Sequence, residues 1–269
     1  MKFSEHPLKE ALKLFVFDLD GTALGGYQPY VRLPEAFCEL LDDLHANGCR
    51  WAINTTWDPH GQWELVRQSG VRSRPLFYAG EFGRVLAEDG PDDAVPIREY
   101  CDANAERLRE IRRREMMPLF RRVIAKHPFE VIHDYGHLFQ IVVAPEAQDS
   151  LAEDVAAWQD ECPGLMVRLS GANLSARPAF LNKGLALREA IRRFGLEPKA
   201  ILTAGDEEAD LAMMTPECAL YTVCPSQAPE RVKATVLARQ GRVGRKPYSD
   251  GVIDAFMRLE RIGEAGHAS

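Results

Sequence analysis

Two carboxylates, Asp18 and Asp20, stand at the end of the apolar segment Leu14-Phe-Val-Phe17 and are followed by Gly21 and Thr22. Side chains i and i+2 of an extended strand point to the same side, so both acids leave the strand together. Gly21 allows a sharp turn directly after them. Open α/β sheets place their ligands outside the carboxyl ends of their strands. There, one acid can attack an electrophile while the other moves a proton, or both can help to hold a hard cation. Three further segments have matching character. Thr55 follows the run Arg50–Asn54, Lys183-Gly184 opens a helical pattern, and Gly205-Asp206-Glu207-Glu208-Ala209-Asp210 lies between a strand pattern and a helix pattern.

The elements that must position these groups follow from periodicity. Leu14–Phe17 is apolar on both faces, as in a covered parallel sheet. Gly25 to Pro29 reads as a turn-rich excursion, a small hairpin or flap. Pro34 opens a helix with Phe37, Leu40, Leu41 and Leu44 at helical spacing, closed by Asn47-Gly48. A strand at 50–54, a helix at 61–69 and a short strand at 76–79 continue a βαβ rhythm. The pattern changes after about residue 84. A Pro/Asp/Gly-rich loop at 88–96 leads to a charged helix at 98–115, apolar runs near 130–133 and 138–143, an amphipathic helix at 147–160, and runs at 166–169 and 173–176. Helices with paired short strands describe an α+β insert with an open sheet. The α/β rhythm returns with a helix at 182–194, a strand at 200–204, a short helix at 208–214 and a strand at 219–223. One domain, 1–84 with 179–269, is therefore split by a second, 85–178. The small polar end, 263–269, is expected to fray.

Composition narrows the function classes. The chain has 269 residues, 46% hydrophobic and 27% charged, as soluble globular proteins do. A net charge of −7 argues against a nucleic-acid backbone as the main ligand. The local basic run Arg107–Arg122 reads as a solvated helix face. No stretch is long and apolar enough for a membrane span, and the N-terminus lacks the order of a signal peptide. The six cysteines show no C-x-x-C pair, which suits free thiols in a reducing cytoplasm rather than zinc or disulfides.

Taken in order, Asp18-Leu-Asp-Gly-Thr22, Thr55, Lys183-Gly184 and Gly205-Asp206…Asp210 resemble the four motifs of the haloacid-dehalogenase (HAD) superfamily of phosphohydrolases. The resemblance covers about 14–84 and 180–260. It implies a Rossmann-like three-layer α/β/α core with a parallel sheet, and a magnesium-dependent phosphatase acting through an aspartyl-phosphate. Asp18 is then the nucleophile and Asp20 the general acid and base. Thr55, with Thr56 beside it, and Lys183 bind the phosphoryl group. Mg2+ is held by Asp18, the backbone carbonyl of Asp20 and Asp206, while Glu207 and Asp210 support the metal loop. The chain departs from the family pattern at Thr56-Trp57, where many relatives have Gly-Arg, and at Ala209, where they often have asparagine.

Over a hundred residues separate Thr55 from Lys183, so the insert resembles a C2 cap of the C2B branch, that of Cof-like and sugar-phosphate phosphatases. Ala79-Gly80-Glu81-Phe82-Gly83 and Ser249-Asp250-Gly251-Val252 resemble stretches of the same branch. A cap implies that substrate choice lies there. Arg168, Asn173 and Arg177, His133 and His137 are the polar candidates, and Trp57 and Trp63 could wall a sugar. The expected partner is a small phosphorylated metabolite, most simply a sugar phosphate, with no nucleic acid or membrane and a monomer or homodimer. A phosphomutase using the same intermediate and a silent binding protein on the same fold are the competing readings.

Overall fold

The computed structural model describes residues 2–25 and 32–262. The excursion expected at 25–29 lies, after Gly25, outside the described residues, as does the terminal stretch 263–269. The chain divides into two units, Met1–Ile97 with Asn182–Ser269, and Arg98–Leu181.

The first unit begins with β1 (Leu14–Phe17), α1 (Glu35–Ala46), β2 (Arg50–Asn54), α2 (Pro59–Gln68), β3 (Tyr78–Gly80), β4 (Val85–Asp89) and β5 (Ala94–Pro96). The second contains α3 (Arg98–Ile111), α4 (Met117–Lys126), β6 (Phe129–Asp134), β7 (Phe139–Val143), α5 (Gln148–Trp158), β8 (Leu165–Ser170) and β9 (Asn173–Pro178). The first unit then resumes with α6 (Lys183–Phe194), β10 (Ile201–Ala204), β11 (Tyr221–Cys224), α7 (Glu230–Ala238), β12 (Arg242–Val243) and α8 (Tyr248–Met257).

The larger sheet has eight strands in the order β12-β11-β10-β1-β2-β3-β4-β5. From β12 to β3 all pairs are parallel, and β4 and β5 add antiparallel. β1 is buried throughout because it is central and covered on both sides. Phe17 meets Phe37 of α1 edge-on at 5.0 Å, and Phe15 stacks with Phe256 of α8 at 6.3 Å. Phe77, just before β3, stacks instead on Phe194 of α6 at 6.1 Å. The result is an α/β/α core of Rossmann-like character. Helix ends follow sequence chemistry. The Asp58 carboxylate accepts from the Gly61 N–H at 2.9 Å to cap α2, and Asn182 Oδ1 accepts from the Leu185 N–H at 3.1 Å to cap α6.

The segment 85–96, expected to lie within the insert and to be a loop from 88, instead forms the strand pair β4 and β5 and extends the larger sheet. Val85, Leu86, Ala87 and Ala94 are buried there, and β4 pairs with β3. A hairpin with an apolar edge is more stable against an existing sheet than alone. The boundary therefore falls after Ile97 rather than after residue 84.

The second unit is an antiparallel sheet of order β6-β7-β9-β8 with its own buried cluster, including Phe139, Ile141, Leu151 and Leu174. Its first helix does not stop at 115. A π-helical turn, Arg112–Met116, passes the chain into α4, where Pro118 sits in the first turn and needs no N–H partner. The arginines of the basic run are mostly exposed, as on a solvated face, with Arg112 paired to Asp134, Arg122 to Glu161 at 2.7 Å, and Arg107 over the Phe180 ring at 4.1 Å. All six cysteines are free. No helix of the described residues is long and apolar enough to cross a membrane.

Phe37→Ala should cost about 3–5 kcal/mol, because a fully buried ring against Phe15 and Phe17 leaves a cavity. Urea unfolding measures this; a loss below about 1 kcal/mol would mean that α1 is not anchored through that ring.

Candidate active site

Strand order reverses at β1, with β2 on one side and β10 on the other. Loops after these strands open into one crevice at such a switch point. Register fixes the details: Phe17 is level with both Ile53 and Ala204, so Asp18, Asn54 and Gly205 come next together. The Asp18 N–H donates to the Ala204 carbonyl at 3.0 Å. The carboxylate of Asp18 is buried, at 4% exposure.

Lys183, at 2% exposure, opens α6 and brings its ammonium to 2.7 Å from Asp18 Oδ1 and 2.5 Å from Asp210 Oδ1. The first contact is an ion pair outside good hydrogen-bond angles; the second is a full hydrogen bond. Buried Asn54 donates from Nδ2 to the Lys183 carbonyl at 2.8 Å, tying the end of β2 to the start of α6. A Cβ on Gly184 would stand 2.2 Å from the Ala212 carbonyl oxygen, so only glycine lets this helix start approach the loop after β10.

Asp210 organises that loop. Its Oδ2 accepts from the N–H groups of Asp206 at 2.9 Å and Glu207 at 2.8 Å, within a capping box shared with Glu207. Asp206 receives the Thr22 hydroxyl at 2.7 Å. Gly21 lies so close that a Cβ would fall 2.1 Å from Asp206 Oδ2, and its φ of +79° is itself a glycine conformation. The loops after β1 and β10 are thus locked together.

Among the described residues Asp18, Asp206 and Asp210 offer oxygens within 4.8 Å of one another. Three carboxylates face one ammonium, an excess of two negative charges. Burial pushes the Asp18 carboxyl above its ordinary range, against the Lys183 ammonium and with the help of Asp210. Burial also pushes Asp206 up, to about 6, opposed by the Thr22 hydroxyl and assisted by Asp210. For Lys183 burial acts downward, but Asp18 and Asp210 outweigh it and hold the ammonium firmly charged. This donor set, all hard oxygen with uncompensated negative charge, fits a hard divalent cation.

The other predicted residues are spread more widely. Thr55 is buried, donates its N–H to the Ala79 carbonyl at 3.0 Å, and leaves its hydroxyl without a hydrogen-bond partner. Thr56 is exposed. Asp20 is exposed and accepts from the Trp57 indole Nε1–H at 2.7 Å. Trp63 does not wall a site: its Nε1–H donates to the Gly90 carbonyl at 3.0 Å, and Arg67 covers its ring at 4.7 Å. Glu207 and Glu208 are exposed.

Arg168, Asn173, Arg177, His133 and His137 belong to the second unit. Arg168 and His133 are exposed and Asn173 is half-buried. Arg177 is buried, with its guanidinium donating to the Leu181 carbonyl and, at 2.9 Å, to Met166 Sδ. Burial lowers its pKa to about 10. These two contacts hold it to other residues of the second unit. Sequence reasoning missed Asn54 and the role of Thr22. Nothing but its place before Thr55 marks Asn54, whereas Thr22 was visible as the last residue of the Asp-x-Asp-Gly-Thr segment.

The raised Asp206 sets a pH dependence. The folded form binds more protons than the unfolded chain between its ordinary value of 3.8 and about 6. This contribution is fully present below about pH 4 and is lost as pH rises through about 6. Metal-free protein should therefore show a thermal midpoint whose fall over that window is shallower in Asp206→Asn. An equal slope in both would remove Asp206 as its cause.

Residues 101–256 match the model of a family described as haloacid dehalogenase-like hydrolase. The phosphoglycolate phosphatase of Pyrobaculum neutrophilum is 24% identical over 242 residues, which span 90% of this chain and 96% of that protein. The sucrose-phosphatase from Synechocystis sp. PCC6803, solved with sucrose and phosphate, is similar in structure with a TM-score of 0.62 at 18% identity, over 92% of this chain and 97% of that one. A HAD subclass IIB sugar phosphatase, BT4131, is similar with a TM-score of 0.53 at 17% identity, over 83% and 91% of the two chains.

Proposed function

The chain belongs to the haloacid dehalogenase-like hydrolases, as a phosphoric monoester hydrolase of their Cof-like branch, and on that premise we propose that it is a magnesium-dependent phosphatase of a small phosphorylated metabolite, a sugar phosphate by class. The observation that carries this reading is the buried chain Asp18–Lys183–Asp210 with Asp206 beside it.

Asp18 attacks phosphorus in line. The bond from phosphorus to the ester oxygen breaks, its electron pair stays on that oxygen, and Asp20 supplies the proton that makes the leaving alcohol. Water then attacks the aspartyl-phosphate, Asp20 takes its proton, and Asp18 is regenerated with inorganic phosphate. Lys183 offsets charge on the phosphoryl oxygens without leaving its place between two carboxylates. The unpartnered Thr55 hydroxyl is a donor for the same oxygens.

Asp18 and Asp206, with the Asp20 carbonyl, would hold the magnesium, which when bound would supply positive charge that damps the repulsion between two anionic reactants. Asp210 is better read as support, since its oxygens are already occupied by Lys183 and by the N–H groups of Asp206 and Glu207. The sugar-phosphate class is supported by the sucrose-phosphatase and sugar phosphatase likenesses. Selection of the leaving group is assigned to the insert, now 98–181, with Arg168 and Asn173 as its polar candidates.

Phosphate release from a panel of phosphorylated metabolites in magnesium tests the activity. Turnover that stops on chelation is expected; a folded, magnesium-loaded protein inert on every monoester would contradict it. Asp18→Asn should lower kcat at least about 100-fold while the protein stays folded, because Asp210 still neutralises Lys183. Asp206→Asn should raise the magnesium concentration needed for half-maximal rate. An unchanged requirement would move Asp206 out of the ligand shell.

A further inference from the structure

We propose that Trp57 is the positioning residue of the proton shuttle: its indole N–H holds Asp20 by Oδ2 and assigns the transferable proton to Oδ1. This rests on the reading of Asp20 as general acid and base.

Asp20 sits on a loop with its side chain in solvent. An exposed carboxylate samples several rotamers, whereas proton transfer to a leaving group needs one geometry. The Trp57 Nε1–H, 2.7 Å from Asp20 Oδ2, is a hydrogen bond that selects one. An indole N–H can only donate. The stronger acceptor of a protonated carboxyl is its carbonyl oxygen, so Oδ2 takes that place and the proton lies on Oδ1.

Trp57 is itself held through its backbone, its ring and its neighbour in sequence. Its carbonyl accepts from buried Gln62 Nε2 at 2.9 Å, and the same amide reaches the Ala79 carbonyl at 3.1 Å. Gly80 brings β3 so close that a Cβ would stand 2.4 Å from the Trp57 carbonyl oxygen. The indole packs against the core that contains Trp51 and Leu65. Asp58, the next residue, caps α2. A ring held in this way presents its N–H at a constant place.

The test compares Trp57→Phe with wild type on two substrates, p-nitrophenyl phosphate and an alkyl phosphate that the enzyme turns over. The value of kcat/KM reports steps through release of the first product, so it isolates protonation of the leaving group. Trp57→Phe should lose about tenfold on the alkyl phosphate and less than about twofold on the aryl phosphate, whose leaving group needs little protonation. In the Asp20→Asn background, Trp57→Phe should cause no further loss. Equal losses on both substrates, no loss on either, or losses that add in the double variant would each overturn the role of Trp57. If the phenylalanine variant does not fold, Trp57→Leu is measured in the same cycle. Asp20→Asn serves as the reference: a leaving-group split in it without one in Trp57→Phe refutes the positioning role alone, and its absence in Asp20→Asn refutes the underlying reading of Asp20 as well.

Discussion

An ammonium with almost no contact with water cannot remain charged unless anions surround it, and Lys183 is in that position. Asp18 and Asp210 supply the anions, at 2.7 and 2.5 Å. Buried charges of this kind cost several kcal/mol each to desolvate, so the arrangement is weak evidence of stability and better evidence of use. Removing Asp210 would leave Lys183 with fewer anions and free the N–H groups of Asp206 and Glu207, a loss of about 3–5 kcal/mol by analogy with other broken buried pairs. The same lysine joins three parts of the chain that are distant in sequence: the loop after β1, the loop after β10 and the first turn of α6. The excess of two negative charges that remains is what a divalent cation would neutralise.

The sheet makes this possible. Parallel register sets Phe17 beside Ile53 and Ala204, so the residues that follow emerge at one level. Small residues then close the gaps. Gly21 admits Asp206, Gly184 admits the loop at Ala212, and a Cβ on Gly205 would collide with Asp210 at 2.4 Å. Each of these glycines is required by a close approach within the site, and Gly21 by its positive φ as well. Chemistry at Asp18 therefore depends on backbone packing that carries no charge at all.

Much of this was legible in the chain. The apolar run before Asp18 and the Lys-Gly and Gly-Asp segments marked both the core and the acids, because buried parallel strands and helix starts leave strong local patterns. The strand pair at 85–96 reads in sequence as a loop of the insert, since a short hairpin around Gly90-Pro91-Asp92 carries turn residues and no mark of the sheet it will join. The continuation of the insert's helix through Arg112–Met116 was missed for a related reason: charge density at 109–115 ends an amphipathic pattern without ending the helix. Long-range polar partners were the least legible. Asn54 holding the Lys183 carbonyl, Arg177 turned inward to Leu181, and Trp57 on Asp20 are all set by tertiary approach, which no spacing in the sequence encodes.

The central claim is that Asp18 becomes covalently phosphorylated. Mixing the magnesium-loaded enzyme with excess substrate, quenching in acid within the first turnover, and mapping peptides by mass spectrometry tests it directly. The account predicts a phosphoryl group on Asp18, formed before steady-state phosphate release and absent when substrate is omitted. Steady turnover with no adduct at any quench time, together with direct transfer of solvent oxygen to phosphate in a single turnover without labelling Asp18, would contradict it.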